Sequence, residues 1–393
     1  MILVITYSKL PNKDALAIRS MNLARIFLQC GYEPLLVGMG DSKFQKTEQY
    51  GGLHYTSLRY PSKTIAGRLL NYFGMAKKVK RLLRNPETVE AIIVNTLPFN
   101  TLRYIKKVCK ETKAPLFVDC CEWYSPTQFR FGRWNINYQI NRYFVRNYIS
   151  SDTYPIAISK YLENYFRNKD IETIRIPAIL DVERTACRKR PVQDKLTLVY
   201  AGSPGKKDYL KEAIEGLALM NRKELGGIVF KIIGISKRQL MALCDVQPKT
   251  IELLGNSLIL LGRITHEQVL KELEEADFTV LLRSPILRYA KAGFPTKVVE
   301  SLAAATPVIC NVTSDLGDYL IDEQNSILVG ECTPEAFADS VRKALALTPE
   351  QKARMYRSAR ACAEENFDYR LYSESVHHLM KKRGIAYEDN RTR

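Results

Sequence analysis

The chain has 393 residues, of which 46% are hydrophobic and 26% charged, the composition of a globular protein long enough for two domains. This composition excludes a disordered chain, a collagen and a coiled coil. No stretch approaches the roughly 20 consecutive apolar residues of a membrane-spanning helix. The nine cysteines are scattered without a CxxC pair, which argues against a disulfide framework or a zinc site and predicts a reducing, cytoplasmic compartment. The first residues, MILVITYSKL, predict a strand, and we expect no secretory signal.

Positive charge is concentrated in the first half of the chain. Residues 1–190 contain 31 Lys and Arg against 15 Asp and Glu, whereas the remaining residues contain 28 against 27. Such an asymmetry indicates a partner that carries negative charge, which could be a lipid headgroup, a nucleic acid or an anionic substrate.

Strands and helices alternate along this first half. Apolar residues at helical spacing, followed by the stop signal Gly31, predict a helix over Ala15–Cys30. Apolar runs such as AIIVN and PLFVD are typical of strands that are buried on both faces of a parallel sheet. The predicted strands are Met1–Tyr7, Glu33–Gly38, His54–Tyr60, Ala91–Thr96, Pro115–Cys120, Tyr154–Ser159 and, approximately, Thr173–Ile179.

The alternation restarts after a polar connection over Asp181–Lys195. The later strands are predicted in LTLVYAG, GIVFKIIG, LILLG, FTVLLR, PVICN and SILVG, separated by helices such as Leu210–Asn221 and Thr265–Ala276. Two successive βαβ series predict an α/β protein with two doubly wound domains, residues 1–185 and 190–368. The tail, Tyr369–Gly384, predicts one more helix. Ligands bind such sheets at the carboxyl ends of the strands, so we expect the site in a cleft between the domains.

The segment Arg283–Asn311, with the sequence RSPILRYAKAGFPTKVVESLAAATPVICN, carries the most chemical information. It leaves a buried strand and passes through a Gly- and Pro-containing loop into a helix that begins near Thr296. The unpaired N–H groups and the positive dipole of a helix start suit a diphosphate. Lys297 would add charge on the phosphate side, and Glu300 could accept hydrogen bonds from a ribose diol. An ordinary helix cap with a surface Glu explains the same residues when they are taken alone.

This segment resembles the retaining glycosyltransferases of the GT-B fold, in particular glycosyltransferase family 4. That family has two Glu separated by seven residues in a pattern like EGFG…E, followed by small residues, Pro and a strand. In AGFPTKVVESLAAATPV, the residues that fall in register are Gly293, Phe294, Glu300, Ala303, Thr306, Pro307 and Val308. The resemblance covers nearly the full length, through YAGSPGKKDYL, LLGRITHEQVLKELEEADFTVLL, DLGDYLIDEQNSILVG, PLFVDCCEWY and IAISKYLENYF.

The resemblance implies two Rossmann-like domains that face each other across a cleft. The first would bind the acceptor, the second would bind the nucleotide sugar, and a last helix within residues 369–393 would cross back to the first. It implies retaining transfer of a sugar from a nucleotide-diphosphate donor to a glycan or lipid-linked acceptor, in the assembly of a cell-surface polysaccharide such as capsule or lipopolysaccharide. No cofactor and no metal are expected, because cations and helix N–H groups can meet the charge of the departing diphosphate.

Carried over residue by residue, the resemblance makes Lys207 and Glu300 the catalytic residues, with Lys207 at the diphosphate and Glu300 at the ribose. The other residues that it implies for the donor side are Gly202, Ser203, Lys206, Arg263, Arg283, Gly293, Phe294, Thr296 and Lys297. The residues that it implies for the acceptor side are Lys13, Asp119, Cys121 and Glu122.

The chain also departs from the family pattern. The departures are Ala292 for the first signature Glu, Ala305 for a Gly, Cys121 for a His that many members carry, and Ser203 for the phosphate-binding Arg. Lys207, or Lys206, is then the surviving cation of the phosphate pair, and Arg283 is a candidate replacement for the Arg. The loop SKLPNKDALAIR after the first strand contains no glycine. Nucleotide binding by Glu300 and Lys207 is therefore the stronger prediction, and a particular sugar geometry the weaker one.

Two stretches of the basic half, TIAGRLLNYFGMAKKVKRLLRNP and QFRFGRWNINYQINRYFVRNYIS, mix apolar or aromatic residues with Lys and Arg. They suit an anionic lipid surface, so we expect a peripheral position on the inner face of the plasma membrane. A solvated basic helix packed on its own sheet is the alternative. Two other functions stay open: a UDP-sugar epimerase-like enzyme on the same fold, and a non-catalytic basic protein that binds a membrane or nucleic acid. Nucleic acid is not expected as a partner, because the sequence has no recognition-helix or RNP-like pattern.

Overall fold

The computed structural model describes residues 1–12, 14–40, 46–59, 65–185, 194–204, 207–382 and 384, with the backbone alone at 59 and 65–73. The chain divides into two compact units. Unit 1 comprises Met1–Leu180 and the C-terminal segment that begins at Tyr369, and unit 2 comprises Asp181–Asp368. Most of the predicted connection over Asp181–Lys195 lies outside the described residues, which omit 186–193.

Unit 1 is built on one sheet. Its strands are β1 (Ile2–Lys9), β2 (Pro34–Gly40), β3 (Thr47–Tyr50), β4 (Leu53–Arg59), β5 (Ala91–Val94), β6 (Leu116–Cys120), β7 (Tyr154–Ala157) and β8 (Ile174–Arg175). Their order across the sheet is β3-β4-β2-β1-β5-β6-β7-β8. All neighbours are parallel except β3, which pairs antiparallel with β4. The helices of this part are α1 (Ala15–Gln29), α2 (Ile65–Leu82), α3 (Phe99–Thr112), α4 (Ile136–Tyr143) and α5 (Lys160–Arg167).

Unit 2 repeats the architecture with a fully parallel sheet. Its strands are β9 (Leu196–Ala201), β10 (Ile228–Ile233), β11 (Leu258–Gly262), β12 (Phe278–Leu281), β13 (Val308–Cys310) and β14 (Ser326–Leu328). Its helices are α6 (Leu210–Ala218), α7 (Arg222–Gly226), α8 (Lys237–Cys244), α9 (Pro248–Leu254), α10 (His266–Glu275), α11 (Arg288–Ala292), α12 (Thr296–Ala303), α13 (Pro334–Ala346) and α14 (Pro349–Asn366). The strand order is β11-β10-β9-β12-β13-β14.

The order of strands locates the ligand edge of each sheet. In unit 2 the chain winds outward from β9 through β10 to β11 and then returns to β12 on the other side of β9, where Thr279 pairs with Val199. Unit 1 reverses in the same way between β1 and β5. Helices on both sides of such a reversal leave a crevice outside the carboxyl ends of the two strands, and ligands of doubly wound sheets bind there.

The last helix, α15 (Ser373–Lys382), belongs to unit 1. Its Val376 and Met380 are buried in the same hydrophobic cluster as Phe27 of α1. The hydroxyl of Ser373 donates to the side-chain oxygen of Gln29 at 2.7 Å, which ties the start of α15 to the end of α1. Among the described residues, no helix combines the length and the apolar character that spanning a bilayer requires.

The prediction of two doubly wound α/β domains is confirmed. The six strands predicted between residues 1 and 159 are present, with ends shifted by at most two residues, although Tyr60 lies outside the described residues. The predicted strand over Thr173–Ile179 is shortened to β8, because Pro177 has no N–H to donate and because the carbonyls of Ile176 and Pro177 accept from Arg19 instead.

Other differences lie where polar residues override a simple pattern. The strand β3, with the sequence TEQY, was not predicted because it is polar and mostly exposed. The predicted helix over Leu210–Asn221 ends at Ala218, because Asn221 begins α7 in a capping box with Glu224, accepting from its N–H at 3.0 Å.

Candidate functional site

The buried carboxylate of Asp208 forms ion pairs with two cationic side chains at the carboxyl ends of β9 and β12. Asp208 Oδ2 accepts from Lys297 Nζ at 2.7 Å, and Asp208 Oδ1 accepts from Arg283 Nε at 2.7 Å. The hydroxyl of Tyr200, the penultimate residue of β9, donates to Asp208 Oδ2 at 2.7 Å. The Asp208 side chain is 3% exposed, whereas Arg283 and Lys297 are 18% and 27% exposed. The carboxylate is therefore the buried anchor, and the cations form the accessible part of the cluster.

Lys297 reaches this position by lying against Gly202. A Cβ at Gly202 would stand 2.5 Å from both Cε and Nζ of Lys297, and the backbone at Gly202 has a φ of +141°. The positive φ favours glycine, and the missing Cβ leaves space for the Lys297 ammonium group. Lys297 Nζ lies 2.9 Å from the hydroxyl oxygen of Tyr200, which is its second polar contact.

Arg283 is held by its backbone as well as by its side chain. It follows β12, and its N–H donates to Asn311 Oδ1 at 2.9 Å while Asn311 Nδ2 donates back to its carbonyl at 2.8 Å. Tyr209 N–H donates to the carbonyl of Leu282 at 2.8 Å, which fixes the loop after β9 against the end of β12. Within the described residues, the terminal Nη groups of Arg283 have no hydrogen-bond acceptor, so they can receive a ligand.

The electrostatics of the cluster favour an additional anion. Burial by itself raises the pKa of the Asp208 carboxyl, but the charges of Lys297 and Arg283 outweigh it and hold that pKa at about 2. Burial also lowers the pKa of the Lys297 ammonium below its usual range, although Asp208 opposes this shift. One carboxylate thus faces two cations, and the surplus positive charge is near the start of α12, whose N–H groups add to it.

Glu300 lies on the same face of α12 as Lys297, three residues further along. Both side chains line a cavity of about 20 Å³ together with Ala201 and Thr279, which is close to the volume that one water molecule needs. Burial raises the pKa of Glu300 to about 7, although the charge of Lys297 opposes the rise. Its carboxyl can accept hydrogen bonds from a polar ligand when it is ionised and can donate one when it is protonated.

The chain turns sharply after α12 through Ala305, whose φ is +57°. The N–H of Thr306 donates to the carbonyl of Ser301 at 2.8 Å, which closes the end of the helix. Glycine adopts this left-handed conformation without the strain that a Cβ brings. The glycine expected at position 305 from the sequence resemblance therefore has a physical reason in this backbone.

The structure describes most of the remaining residues predicted for the donor side. Lys207 precedes Asp208, and its Nζ lies 6.0 Å from the centre of the Tyr289 ring, whose hydroxyl donates to the Lys207 carbonyl at 2.9 Å. Ser203 is exposed beside Gly202, and Arg263 is exposed after the carboxyl end of β11. Lys206 lies outside the described residues.

Three predicted residues lie in the loop that leads into α12 or at the start of that helix. Gly293 ends α11 with its N–H donating to the carbonyl of Tyr289 at 3.0 Å, and Thr296 is the first residue of α12. The ring of Phe294 is buried between Tyr319 and Phe367, at centroid distances of 5.7 Å and 5.6 Å. Phe294 therefore shapes the loop through the packing of its ring.

The two residues that sequence reasoning missed are Asp208 and Tyr200. Asp208 ends the charged turn KKD, which is typical of a solvated loop, so nothing in its immediate surroundings suggests burial. Tyr200 offers a weak signal, because it stands in the otherwise apolar strand LTLVYA and a buried tyrosine hydroxyl needs a polar partner. The partner itself comes from the loop that follows, and only the folded chain identifies it.

Three of the four residues predicted for the acceptor side, Asp119, Cys121 and Glu122, are at the carboxyl end of β6 in unit 1. Asp119 is buried and accepts from Arg19 Nε at 2.9 Å and from Arg19 Nη2 at 2.8 Å, and Arg19 also donates to the carbonyl of Ile176 at 3.0 Å. Asp119 and Arg19 therefore join α1 to the sheet, and the Asp119 carboxylate is not available to an acceptor. The thiol of Cys121 donates to Asp119 Oδ2 at 3.0 Å.

The other two acceptor-side residues differ in what the structure says of them. Glu122 is half-buried, and its carbonyl accepts from Asn141 Nδ2 at 3.0 Å. Lys13 lies outside the described residues. In the part of the chain that the structure describes, no three His, Cys, Asp or Glu side chains are grouped so that they could hold a metal ion.

Known proteins resemble the chain in two ways. Residues 183–361, which make up nearly all of unit 2, match the family model described as "Glycosyl transferases group 1". No curated protein matches the chain by sequence. Solved structures, however, match over almost the whole length of both chains, at identities too low to show more than the fold.

Three of these structures illustrate the match. Sucrose-phosphate synthase from Thermosynechococcus elongatus is 16% identical, with 97% of this chain and 98% of that chain covered and a TM-score of 0.71. Anabaena Alr3699/HepE, in complex with UDP and glucose, is 15% identical, with 97% and 99% covered and a TM-score of 0.69. WaaG, a glycosyltransferase involved in lipopolysaccharide biosynthesis, is 15% identical, with 95% and 98% covered and a TM-score of 0.67. The chain has the GT-B fold of these glycosyltransferases.

Proposed function

We propose that the protein is a retaining glycosyltransferase that transfers a sugar from a nucleotide-diphosphate donor to a glycan or lipid-linked acceptor. The observation that carries this proposal is the convergence of Lys297 and Arg283 on Asp208 at the reversal of strand order in unit 2. Two cations beside a helix start are what a departing diphosphate requires. The match of residues 183–361 to glycosyl transferases group 1 supports the same function.

The chemistry needs little acid–base work from the protein. The bond between the anomeric carbon and the diphosphate oxygen breaks as the acceptor hydroxyl bonds to the same face of that carbon, and the hydroxyl proton passes to the departing diphosphate. Lys297, Arg283 and Lys207 meet the charge that develops on the diphosphate, together with the first N–H groups of α12. Glu300 holds the ribose diol, and this scheme requires no metal ion or cofactor.

The donor and the pathway are proposed from the related structures. Anabaena Alr3699/HepE was crystallised with UDP and with UDP-glucose, so a UDP-sugar is the first donor to test. WaaG is involved in lipopolysaccharide biosynthesis, which supports a role in the assembly of a cell-surface polysaccharide. We place the protein in the cytoplasm, peripheral to the inner face of the plasma membrane, with the half that carries nearly all the net positive charge as the membrane side.

The experiment that tests the function is a binding panel of UDP-, GDP- and ADP-sugars read out by thermal shift and calorimetry. One donor should stabilise the parent protein, and Lys297→Gln and Arg283→Gln should each weaken its binding about tenfold, the effect of one lost charge-assisted hydrogen bond. Glu300→Ala and Lys207→Ala test the ribose and the diphosphate roles in the same assay. The matched control is Arg222→Gln, which removes an exposed cation of unit 2 outside the cluster.

Two outcomes would overturn the proposal. A parent protein that binds none of the donors has no nucleotide-sugar site, and variants that bind as well as the parent would refute the assigned residues. Incubation of the bound donor with and without lipid-linked oligosaccharide then separates sugar transfer from isomerisation of the donor, since a transferase releases the nucleoside diphosphate in step with glycosylated acceptor.

A further inference from the structure

Unit 1 exposes three large apolar side chains on one short segment. We call residues 129–136 the aromatic tip, in which Phe131, Trp134 and Ile136 are 65%, 91% and 59% exposed. Isolated exposed apolar residues are common on protein surfaces, but three within six positions form a patch that usually marks an interaction site. The fold of unit 1 does not use these side chains, so their exposure needs another explanation.

The tip is ordered by its own backbone. It turns through a 3-10 helix over Gly132–Trp134, in which Trp134 N–H donates to the carbonyl of Phe131 at 2.9 Å. Asn135 then caps α4, accepting from Asn137 N–H at 2.9 Å. The exposed side chains are therefore presented by a hydrogen-bonded turn that does not need a partner in order to form.

The tip is also connected to the predicted acceptor side of unit 1. Asn141, in α4, donates from Nδ2 to the Glu122 carbonyl at 3.0 Å and accepts from Tyr124 N–H at 2.9 Å. These bonds join the helix that follows the tip to the chain that leaves β6. A surface that contacts the tip would therefore be held close to the ligand edge of the sheet in unit 1.

All charged residues in the segment that contains the tip are basic. Residues 123–151 contain no Asp or Glu, and they contain four arginines, Arg130, Arg133, Arg142 and Arg146. All four side chains are exposed, and among the described residues none of them forms an ion pair with a carboxylate. Arginines next to exposed apolar groups match a surface that offers phosphate groups above a hydrocarbon layer.

We propose that the aromatic tip docks the protein on a membrane that contains anionic phospholipid. Phe131, Trp134 and Ile136 enter the interface between headgroups and acyl chains, and the four arginines contact lipid phosphates. Trp suits this position because its ring is apolar and its N–H is polar. Ile136 favours a lipid over single-stranded nucleic acid, because an aliphatic side chain offers no ring on which a base could stack. The inference deepens the proposed function, since it identifies the acceptor as one anchored in the membrane.

The test is co-sedimentation of the full chain with vesicles of phosphatidylcholine alone and of phosphatidylcholine with about one third phosphatidylglycerol. The protein should sediment with the anionic vesicles and remain largely in solution with the neutral ones, and about 0.5 M salt should weaken the binding. Trp134→Ala should lower the partition coefficient about tenfold through lost apolar burial. Arg130→Gln with Arg133→Gln should lower it about 25-fold, since each Arg near an anionic surface contributes about fivefold.

Matched controls separate the tip from general surface properties. Leu253→Ala removes an exposed apolar side chain from unit 2, and Arg222→Gln removes an exposed cation there. Both should sediment like the parent. If Trp134→Ala or the double arginine variant also sediments like the parent, or if the parent ignores anionic vesicles and instead binds a single-stranded oligonucleotide, the proposal is wrong.

The result is independent of the proposed donor site. Trp134 lies in unit 1, so Trp134→Ala should leave UDP-sugar binding unchanged. Lys297 lies in unit 2, so Lys297→Gln should weaken donor binding and leave vesicle binding unchanged. If neither the parent nor any variant binds a donor but vesicle binding is intact, the proposed transferase function is wrong and the docking surface is retained. Intact donor binding without vesicle binding would refute the docking surface alone.

Discussion

Lys297 and Asp208 form an ion pair of 2.7 Å between side chains that are 89 residues apart in sequence. The pair links the first turn of α12 to the loop after β9, and Arg283 joins it from the end of β12. Three separate connections of unit 2 therefore meet at one buried carboxylate. The stability of this end of the sheet and its affinity for an anion depend on the same atoms.

Asp208→Asn should destabilise unit 2 by about 3 kcal/mol at neutral pH, because it leaves two partly buried cations without their counter-charge. The folded pKa of Asp208, about 2, lies below its ordinary value of 3.8, so the stabilisation is present above about pH 4 and is lost as the pH falls through about 2. Urea unfolding of parent and variant at several pH values should show a difference that shrinks on acidification. The control is Asp245→Asn, which breaks the exposed pair with Lys211 and should change stability by less than about 0.5 kcal/mol. Equal effects of the two variants would contradict the assigned role of Asp208.

Glu300→Gln should change how stability depends on pH. Burial raises the folded pKa of Glu300 from 4.5 to about 7, so between these values the folded state binds more protons and Glu300 makes the parent less stable as the pH rises. The variant should be more stable than the parent at pH 8, by about 2 kcal/mol, and similar to it near pH 4. Nucleotide binding should be weaker in the variant, because a neutral amide is a poorer acceptor for a ribose diol. If the free energies of unfolding of the parent and the variant change in parallel from pH 4 to pH 8, the pKa of Glu300 is not raised.

Gly202→Ala should weaken nucleotide binding about tenfold by displacing the Lys297 ammonium from its place against the backbone. Calorimetric titration with UDP, at a temperature well below unfolding, gives the affinity directly. Gly226→Ala is the control, since a Cβ there has no heavy atom within 4 Å and no positive φ is recorded for it. If both alanine variants bind UDP equally well, the close approach of Lys297 to Gly202 has no function.

Ala305→Gly should stabilise unit 2 by about 1 kcal/mol. At a φ of +57° the Cβ of alanine is strained, and the relief on its removal exceeds the greater flexibility that glycine gives to the unfolded chain. Thermal unfolding of the two proteins measures the difference. The comparison variant is Ala304→Gly, one position earlier and outside the left-handed region, which should destabilise. A loss of stability in Ala305→Gly would show that the turn after α12 is not strained.

The sequence predicted the strands of both sheets well where burial is complete. The strand β5 is buried at all four positions and β6 at all five, and such apolar runs are hard to mistake for surface elements. The sequence was less informative at polar elements. The strand β3 is mostly exposed and carries no apolar run. Asn221 was predicted as the end of the helix that begins at Leu210, but it caps the start of α7. The pattern of apolar residues in the sequence indicates which elements are buried, and it does not identify exposed elements.

The candidate site was predicted in part. Arg283, Lys297 and Glu300 were proposed from one continuous segment, and the structure places all three at the reversal of strand order in unit 2. Phe294 matched the same family pattern, but its ring is used for packing. Asp208 could not be found from the sequence, and Tyr200 gave only a weak signal, because the partners of the Asp208 carboxylate come together only in the folded chain.

The sequence by itself determined the alternation of strands and helices and the helix start that carries Lys297 and Glu300. These features depend on interactions between residues that are close in the chain, so their spacing records them. Only the tertiary structure decided that Asp208 pairs with two cations and that Asp119 pairs with Arg19. An ion pair between residues that are distant in sequence forms only when the fold brings their side chains together. It also decided that Trp134 faces solvent, since the exposure of an aromatic side chain depends on what the rest of the fold leaves uncovered.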